Sequence, residues 1–409
     1  MNRTINFEDT KIAFSLKTSN ELKWAYLLFT LIGNRYLTAM ARPVTNFLLW
    51  VRFPIAPILK RTVFKQFCGG ESIAECETVI SDMFDNKGVC SILDYSVEGM
   101  QNEQQFDETL ETTLKTLDFA KTTKSTPFLV FKGTGLGRFK LFEKMSKNEI
   151  LSDAEKKEWG KVVSRFDKIC SKVANSQNLK IMVDAEESWI QDAVDKLTET
   201  MMAKYNGNRA VVFNTVQLYR WDRLNYLKYL RDEAMKFDFK IGIKLVKGAY
   251  MEKERDRAEM NKYVSPICAN KEATDTNFND GLIFCSQNLG LFEIFLGTHN
   301  EGSSKLLLEL MSNSGLKNYD NRIWFGQLYG MSDHISFNLA LQNYNTAKYL
   351  PFGPVKEVIP YLFRRAEENT SVDVQTSREL HLIKKEIDRR NRLLFENKIE
   401  KSQEYIVHK

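Results

Sequence analysis

The sequence predicts an α/β fold, an eight-stranded (β/α)8 barrel of the TIM-like kind with helical arms at both ends of the chain. Three observations carry this. From about residue 89, short β-rich runs alternate with longer stretches whose apolar residues recur at helical spacing. Several runs are almost continuously apolar (Phe-Leu-Val-Phe at 128–131, Ile-Met-Val at 181–183, Ala-Val-Val-Phe at 210–213), as parallel strands covered by helices require. The competing fold, a doubly wound open sheet, lacks its signature. No Gly-x-Gly-x-x-Gly follows the first strand, Gly133-Thr-Gly-Leu-Gly137 after the second has the wrong spacing, and no Walker sequence appears.

Taken in order, residues 1–88 show no such alternation and read as a helical region outside the barrel. Their most apolar stretch, 24–59, is interrupted by Arg35, Arg42 and Arg52, well short of the roughly 20 apolar residues of a membrane span. It packs on the main domain or, through its basic and aromatic mix, lies on a bilayer surface. The expected strands are 91–95, 128–134, 180–185, 210–217, 241–247, 292–298, 322–328 and 347–350, with helices between them such as 221–237, 303–314 and 355–369. The charged stretch 148–173 reads as the crossover helix between strands two and three. The barrel is thus assigned to 89–369 and a charged helical tail to 370–409. In the tail, Lys384, Lys385, Arg389, Arg390 and Arg392 form either a solvated face or a basic membrane-contacting patch.

Composition narrows the function. In 409 residues, 58 basic and 53 acidic side chains leave a net charge of +5, too weak a field to argue for nucleic acid. The hydrophobic fraction of 43% supplies ample core. Six scattered cysteines without a Cys-x-x-Cys pair suit a reducing compartment, and four histidines without a His-Glu-x-x-His motif imply no metal site. The N-terminus has neither a secretory nor a typical transit-peptide pattern, so a bacterial cytoplasm with peripheral contact to the inner membrane is expected, or a mitochondrial matrix if a transit peptide was trimmed.

In a (β/α)8 barrel, chemistry sits at the C-terminal strand ends. Here those ends carry Asp94, Lys132, Asp184-Ala-Glu-Glu187, Asn214-Thr-Val-Gln217, Lys244-Leu-Val-Lys-Gly-Ala-Tyr250, Thr298-His-Asn300, Gln327-Leu-Tyr329 and Tyr349. So many polar groups need a polar ligand or one another, because each buried without a partner costs kilocalories. Lys132 and Asp184, on neighbouring strands, form either a structural ion pair or a cation steadied by an acid beside a bound anion. After the last strand, Arg364 and Glu368 share a helix face, with Arg365 rotated by about 100°. Two adjacent guanidinium groups can hold one carboxylate from two directions, unless the helix simply faces solvent with an i,i+4 pair.

Several stretches together resemble the proline dehydrogenase family: Phe131-Lys-Gly-Thr-Gly-Leu-Gly-Arg138, Met182-Val-Asp-Ala-Glu186, Phe213-Asn-Thr-Val-Gln217, Gly297-Thr-His-Asn-Glu301 and Phe325-Gly-Gln-Leu-Tyr-Gly-Met331. The most specific runs from Lys348-Tyr-Leu-Pro-Phe-Gly-Pro through Arg364-Arg-Ala-Glu-Glu-Asn369. The likeness spans about 67–369 and is closer to the single-function, eukaryotic-type branch, since no aldehyde dehydrogenase half follows.

The resemblance implies a distorted barrel holding FAD, which oxidises L-proline to 1-pyrroline-5-carboxylate by hydride transfer to flavin N5 and passes electrons to a quinone. It implies that Arg364, Arg365 and Lys132 bind the substrate carboxylate, with Asp184 orienting Lys132. Tyr349, Leu328, Ala249 and Tyr250 would wall the pyrrolidine ring. Gln217, Lys244, Lys247, Gly248, Thr298, His299, Arg365 and Glu368 would contact the flavin. The sequence departs from relatives in three places. Gly133-Thr-Gly135 stands where a leucine, a small hydroxyl residue and an alanine are common. Lys244 replaces an arginine of the bifunctional bacterial branch, and Met251 a tryptophan there.

The substrate amine must lose its proton before it loses hydride, so the rate should rise with pH on the alkaline side. Relatives specialised for 4-hydroxyproline tend to carry a smaller residue at the place of Tyr349, so the tyrosine implies proline; a 4-hydroxyproline dehydrogenase is the alternative. From another class stands a flavin-free lyase forming a Schiff base on Lys132 or Lys247. A barrel that only binds, retaining the carboxylate clamp, is a further reading.

Overall fold

A computed structural model of the chain describes residues 5–34, 36, 37, 40, 43–45, 54–96, 99–371 and 373–407; the side chains of 366–371, 373–376, 398 and 400–407 lie outside the description. Eight strands close into a barrel: β1 (Cys90–Tyr95), β2 (Phe128–Lys132), β3 (Lys180–Asp184), β4 (Val212–Gln217), β5 (Ile241–Val246), β6 (Phe292–Gly297), β7 (Ile323–Leu328) and β8 (Thr346–Phe352). Every neighbouring pair is parallel, and β8 returns to β1 with Cys90 opposite Ala347 and Tyr95 opposite Phe352. The strands fall where the sequence places them, within a few residues at each end. β8 runs longer than expected because both Thr346 and Phe352 find parallel partners.

The period of two sorts each strand into two faces. Leu129 and Phe131 of β2, Ile181 and Val183 of β3 and Ile243 and Leu245 of β5 point outward into one large core shared with the surrounding helices. Phe128, Val130, Met182, Phe213, Phe295 and Tyr349 point inward and fill the barrel. At the N-terminal end the ring of Phe128 meets Phe213, Phe295 and Trp324 at 5.1 to 5.5 Å between centroids, each edge to face. Lys180 lies over Phe128 and Phe213 and bonds Glu293 at 2.6 Å. That aromatic plug closes the bottom. Space for it is made at Gly326, where a methyl group would stand 2.1 Å from the Phe295 ring. The open end is the C-terminal one.

The helices follow their strands. α1 (Thr10–Ala13), α2 (Ser19–Ile32) and α3 (Ile73–Lys87) precede the barrel, and α4 (Glu103–Lys121) joins β1 to β2. The β2–β3 crossover is built from two helices, α5 (Phe139–Ser146) and α6 (Asp153–Ala174), not from one over 148–173. The break is local chemistry: Ser152 caps α6 in a capping box with Glu155, and Asn148 sits at a φ of 54°. α7 (Ser188–Tyr205) and α8 (Arg223–Phe237) follow β3 and β4, while β5 is followed by α9 (Met251–Asn261) and α10 (Lys271–Gln287). α11 (Glu301–Asn313), α12 (Asp333–Leu341) and α13 (Val355–Ser371) follow β6, β7 and β8, and α14 (Asp373–Val407) ends the chain. A second core joins α2, α13 and α14 through Leu22, Phe29, Val358, Leu362, Leu382 and Ile383. No helix among the described residues is long and apolar enough to cross a membrane.

Candidate active site

The same alternation that fills the barrel sets its mouth. One step above the inward apolar residues, Asp94, Lys132, Asp184, Gln217, Lys244 and Tyr349 take inward positions on β1, β2, β3, β4, β5 and β8. Lys132 lies in register with Asp184. The carboxylate of Asp184 receives the ammonium of Lys244, which donates a second hydrogen bond to the Tyr349 hydroxyl at 2.7 Å and sits 4.5 Å from the centre of that ring. Tyr349 in turn donates to the sulfur of Met182 at 3.0 Å and packs edge to face on Phe295. Burial, then the negative charges of Asp184 and Asp94, hold the Tyr349 hydroxyl protonated well beyond its ordinary range. Lys244, expected beside the flavin alone, is thus also tied to the two residues expected around the substrate.

Asp94 is the acid that sequence reasoning placed at a strand end without a role. It accepts from Ser96 at 2.8 Å, and burial raises its pKa against the field of Lys132, with Asp184 raising it further. Two acids and two lysines therefore share one small, partly dry space. Glu186 is a second group the motifs contained but did not single out. Its carboxylate accepts from both the amide and the hydroxyl of Thr134, at 3.1 and 2.5 Å, yet burial pushes its pKa up to about 7. Thr134, the small hydroxyl residue between the departing Gly133 and Gly135, is thus the partner of a buried acid.

One wall comes from the turn after β5. Gly248 adopts a φ of 137°, and a methyl group there would strike the Tyr219 ring at 2.5 Å, so only glycine fits. The turn carries Ala249, whose amide faces the Gln217 side chain at 3.4 Å, and Tyr250. Gln217 donates to the Glu186 carbonyl at 2.7 Å. Lys247 pairs with Asp275. α9 is pinned over this wall: Glu254, fully buried, accepts from the amide and hydroxyl of Ser188, both at 2.6 Å, and Arg257 bonds Glu143 at 2.8 Å.

α13 delivers the arginines to the same mouth. The guanidinium of Arg364 lies 6.0 Å from the centre of the Tyr250 ring. Arg365 is buried, stands 5.3 Å from the Tyr361 ring, and its charge is felt at His299. Neither points away from the barrel. Glu368 lies on α13, with its side chain outside the described residues.

The turns after β6 and β7 complete the rim. Leu328 lies opposite Tyr349 in the β7–β8 ladder and packs on the barrel interior. Thr298 is buried, its hydroxyl accepting from the Asn300 amide at 3.2 Å. His299 meets the Ser332 hydroxyl at 2.9 Å through Nδ1 and the Leu328 amide at 3.5 Å through Nε2. Since Nε2 faces an amide donor, the ring proton belongs on Nδ1 and is donated to Ser332. Burial, helped by Lys348 and Arg365, lowers the His299 pKa to about 3 and keeps the ring neutral. Not every strand-end polar residue faces the mouth: Asn214 turns outward to Asp195 at 2.8 Å, and Gln327 outward to Ser336 at 2.7 Å. No group of acids, histidines and cysteines among the described residues could hold a metal ion.

Comparison with known proteins follows the same lines. A family model described as proline dehydrogenase matches residues 80–378. A carbapenem antibiotics biosynthesis protein, CarD, of Pectobacterium carotovorum subsp. carotovorum is 36% identical over 79% of this chain and 83% of its own. Proline dehydrogenase 2, mitochondrial, of Arabidopsis thaliana is 30% identical over 81% of this chain and 79% of its own. The crystal structure of proline utilization A from Bdellovibrio bacteriovorus, inactivated by N-propargylglycine, superposes with a TM-score of 0.68 at 17% identity. That superposition covers 90% of this chain and 40% of the other, a likeness of fold.

Proposed function

The chain belongs to the proline dehydrogenase family, and from that premise we propose that it oxidises L-proline to 1-pyrroline-5-carboxylate, with FAD as hydride acceptor and a membrane quinone as final oxidant. The observation that carries the proposal is the convergence of Arg364 and Arg365 on the mouth that already holds Lys132, Asp184, Lys244 and Tyr349. Four cations around one apolar-floored opening suit a substrate with a carboxylate at one end and a hydrocarbon ring at the other.

The residues fit a bound flavin. The ends of β4, β5 and β6 offer an amide, ammonium groups, a hydroxyl and an imidazole, the mixed donors and acceptors that an isoalloxazine edge and a pyrophosphate need. The buried hydroxyl of Thr215, in register with Lys244 on β4, has no hydrogen-bond partner among the described residues. Gln217, Lys244, Lys247, Gly248, Thr298, His299, Arg365 and Glu368 would hold the cofactor. When bound, it supplies a two-electron acceptor that no side chain can replace.

The protein's own work is binding and orientation. Arg364 and Arg365 would grip the substrate carboxylate, and Lys132 would add a third positive charge steadied by Asp184 and Asp94. Tyr349, Leu328, Ala249 and Tyr250 would confine the ring. Neutral His299 adds no positive charge to the site, which leaves the carboxylate to the clamp. Asp94 and Glu186, both with raised pKa values and both in the field of Lys132, are the acids that would take the ammonium proton the substrate must shed.

Anaerobic addition of L-proline to the purified yellow protein should bleach the visible flavin absorption, with the cyclic imine formed in equal amount. A colourless protein that is trapped covalently by borohydride with a keto substrate would instead support the Schiff-base lyase on Lys132 or Lys247.

A further inference from the structure

The last helix of the chain reaches the rim of the barrel through one turn. Glu379, buried to 4% exposure, accepts the backbone N–H of Ser332 at 3.2 Å. Ser332 begins α12 in the left-handed region, at a φ of 51°, where a serine is held only by its surroundings. Its hydroxyl is the partner of His299 Nδ1, and His299 Nε2 faces the amide of Leu328. One residue earlier, Arg378 bonds Glu301 at 2.7 Å, and Glu301 bonds His334 at 3.0 Å. Adjacent residues of α14 therefore clamp the turn after β6 and the turn after β7 together.

We propose that Glu379 is a positioning residue for the cofactor side of the site, acting through Ser332 to fix His299 and, through His299, the backbone of Leu328. A strained serine whose N–H lost its acceptor would relax toward commoner backbone angles and carry its hydroxyl away from the imidazole. His299 would then lose the bond that sets its tautomer and ring plane. The inference rests on the reading that a flavin lies against His299, and it adds to that reading a part of the chain some 80 residues away in sequence. Elsewhere among the described residues of α14, Arg389 bonds Glu386, Arg390 the carbonyls of Phe14 and Lys17, and Lys385 Glu8, contacts within the helix and to the N-terminal segment.

The test compares four variants of the full-length, flavin-loaded protein by flavin dissociation constant, visible spectrum and far-ultraviolet circular dichroism. Glu379→Ala should weaken flavin binding by about tenfold with helix content unchanged, the size expected for one lost buried hydrogen bond. Glu379→Gln, whose carbonyl oxygen can still accept from Ser332, should return to within about twofold of the parent. Ser332→Gly keeps the backbone N–H and suits a positive φ but lacks the hydroxyl; it should weaken flavin binding as Glu379→Ala does, and it decides the matter if Glu379→Ala does not fold. Arg390→Ala, which loosens α14 from the turn between α1 and α2, should lower Tm and leave flavin binding unchanged. Parent-like flavin binding in both Glu379→Ala and Ser332→Gly would overturn the proposal, as would a loss in Arg390→Ala that tracks its Tm. A parent protein that takes up no flavin would overturn the functional reading itself, a result plain before any variant is made.

Discussion

Tyr349 shows how much a single inward residue is asked to do. Its ring closes the barrel interior beside Phe295, and its hydroxyl receives Lys244 and gives to Met182. A hydroxyl so occupied has no freedom to make room for a substituent on the substrate ring, which gives the proline preference expected of a tyrosine here a physical basis. Tyr349→Ser should therefore raise the use of trans-4-hydroxyproline relative to proline by roughly tenfold or more, the discrimination that a steric and polar mismatch commands. Equal turnover of the two substrates by the unaltered protein would contradict this. At this scale the sequence was legible where parity alone decides: Lys132, Asp184 and Tyr349 lie inward two residues beyond Val130, Met182 and Ala347, and Lys244 lies inward between the outward Ile243 and Leu245. It was not legible which of them would bond. Lys244 meets Asp184 and Tyr349 across 60 and 105 residues of chain, distances no local pattern encodes.

At the scale of elements, the turn between β7 and α12 is the most heavily braced part of the rim. Lys348, fully buried on the outward face of β8, donates to Asp333 at 2.6 Å and to the Met331 carbonyl at 2.5 Å. A buried lysine on an otherwise apolar strand exists only because those acceptors await it. Lys348→Met leaves Asp333 buried without its cation and should lower stability by about 3–5 kcal/mol in denaturant titration, the range for breaking one partner of a buried ion pair. A loss below ~1 kcal/mol would show the turn to be held by other means. Elements also explain the errors of sequence reading. The polar strand ends mix faces, so Asn214 and Gln327 were grouped with inward residues although each bonds an outer helix. The β2–β3 crossover breaks at Ser152, whose capping box with Glu155 was present in the sequence but lay inside an unbroken charged run.

Across the whole molecule, the parts that repeat were readable and the parts that do not were hidden. Eight alternations of strand and helix are a statistical signal accumulated over some 280 residues, whereas among the described residues the docking of α14 onto the rim runs through Glu379 and Arg378. α2 shares one core with α13 and α14, and that packing holds α13, with its arginines, against the mouth. In the proposed reaction those arginines grip the substrate carboxylate. Rapid anaerobic reduction of the Arg364→Met variant by L-proline, followed over a range of proline concentrations, tests it most directly. We predict that the half-saturating concentration rises roughly 100-fold, about the 3 kcal/mol of a lost charged partner, while the limiting rate of reduction falls far less. An unchanged half-saturating concentration would contradict it.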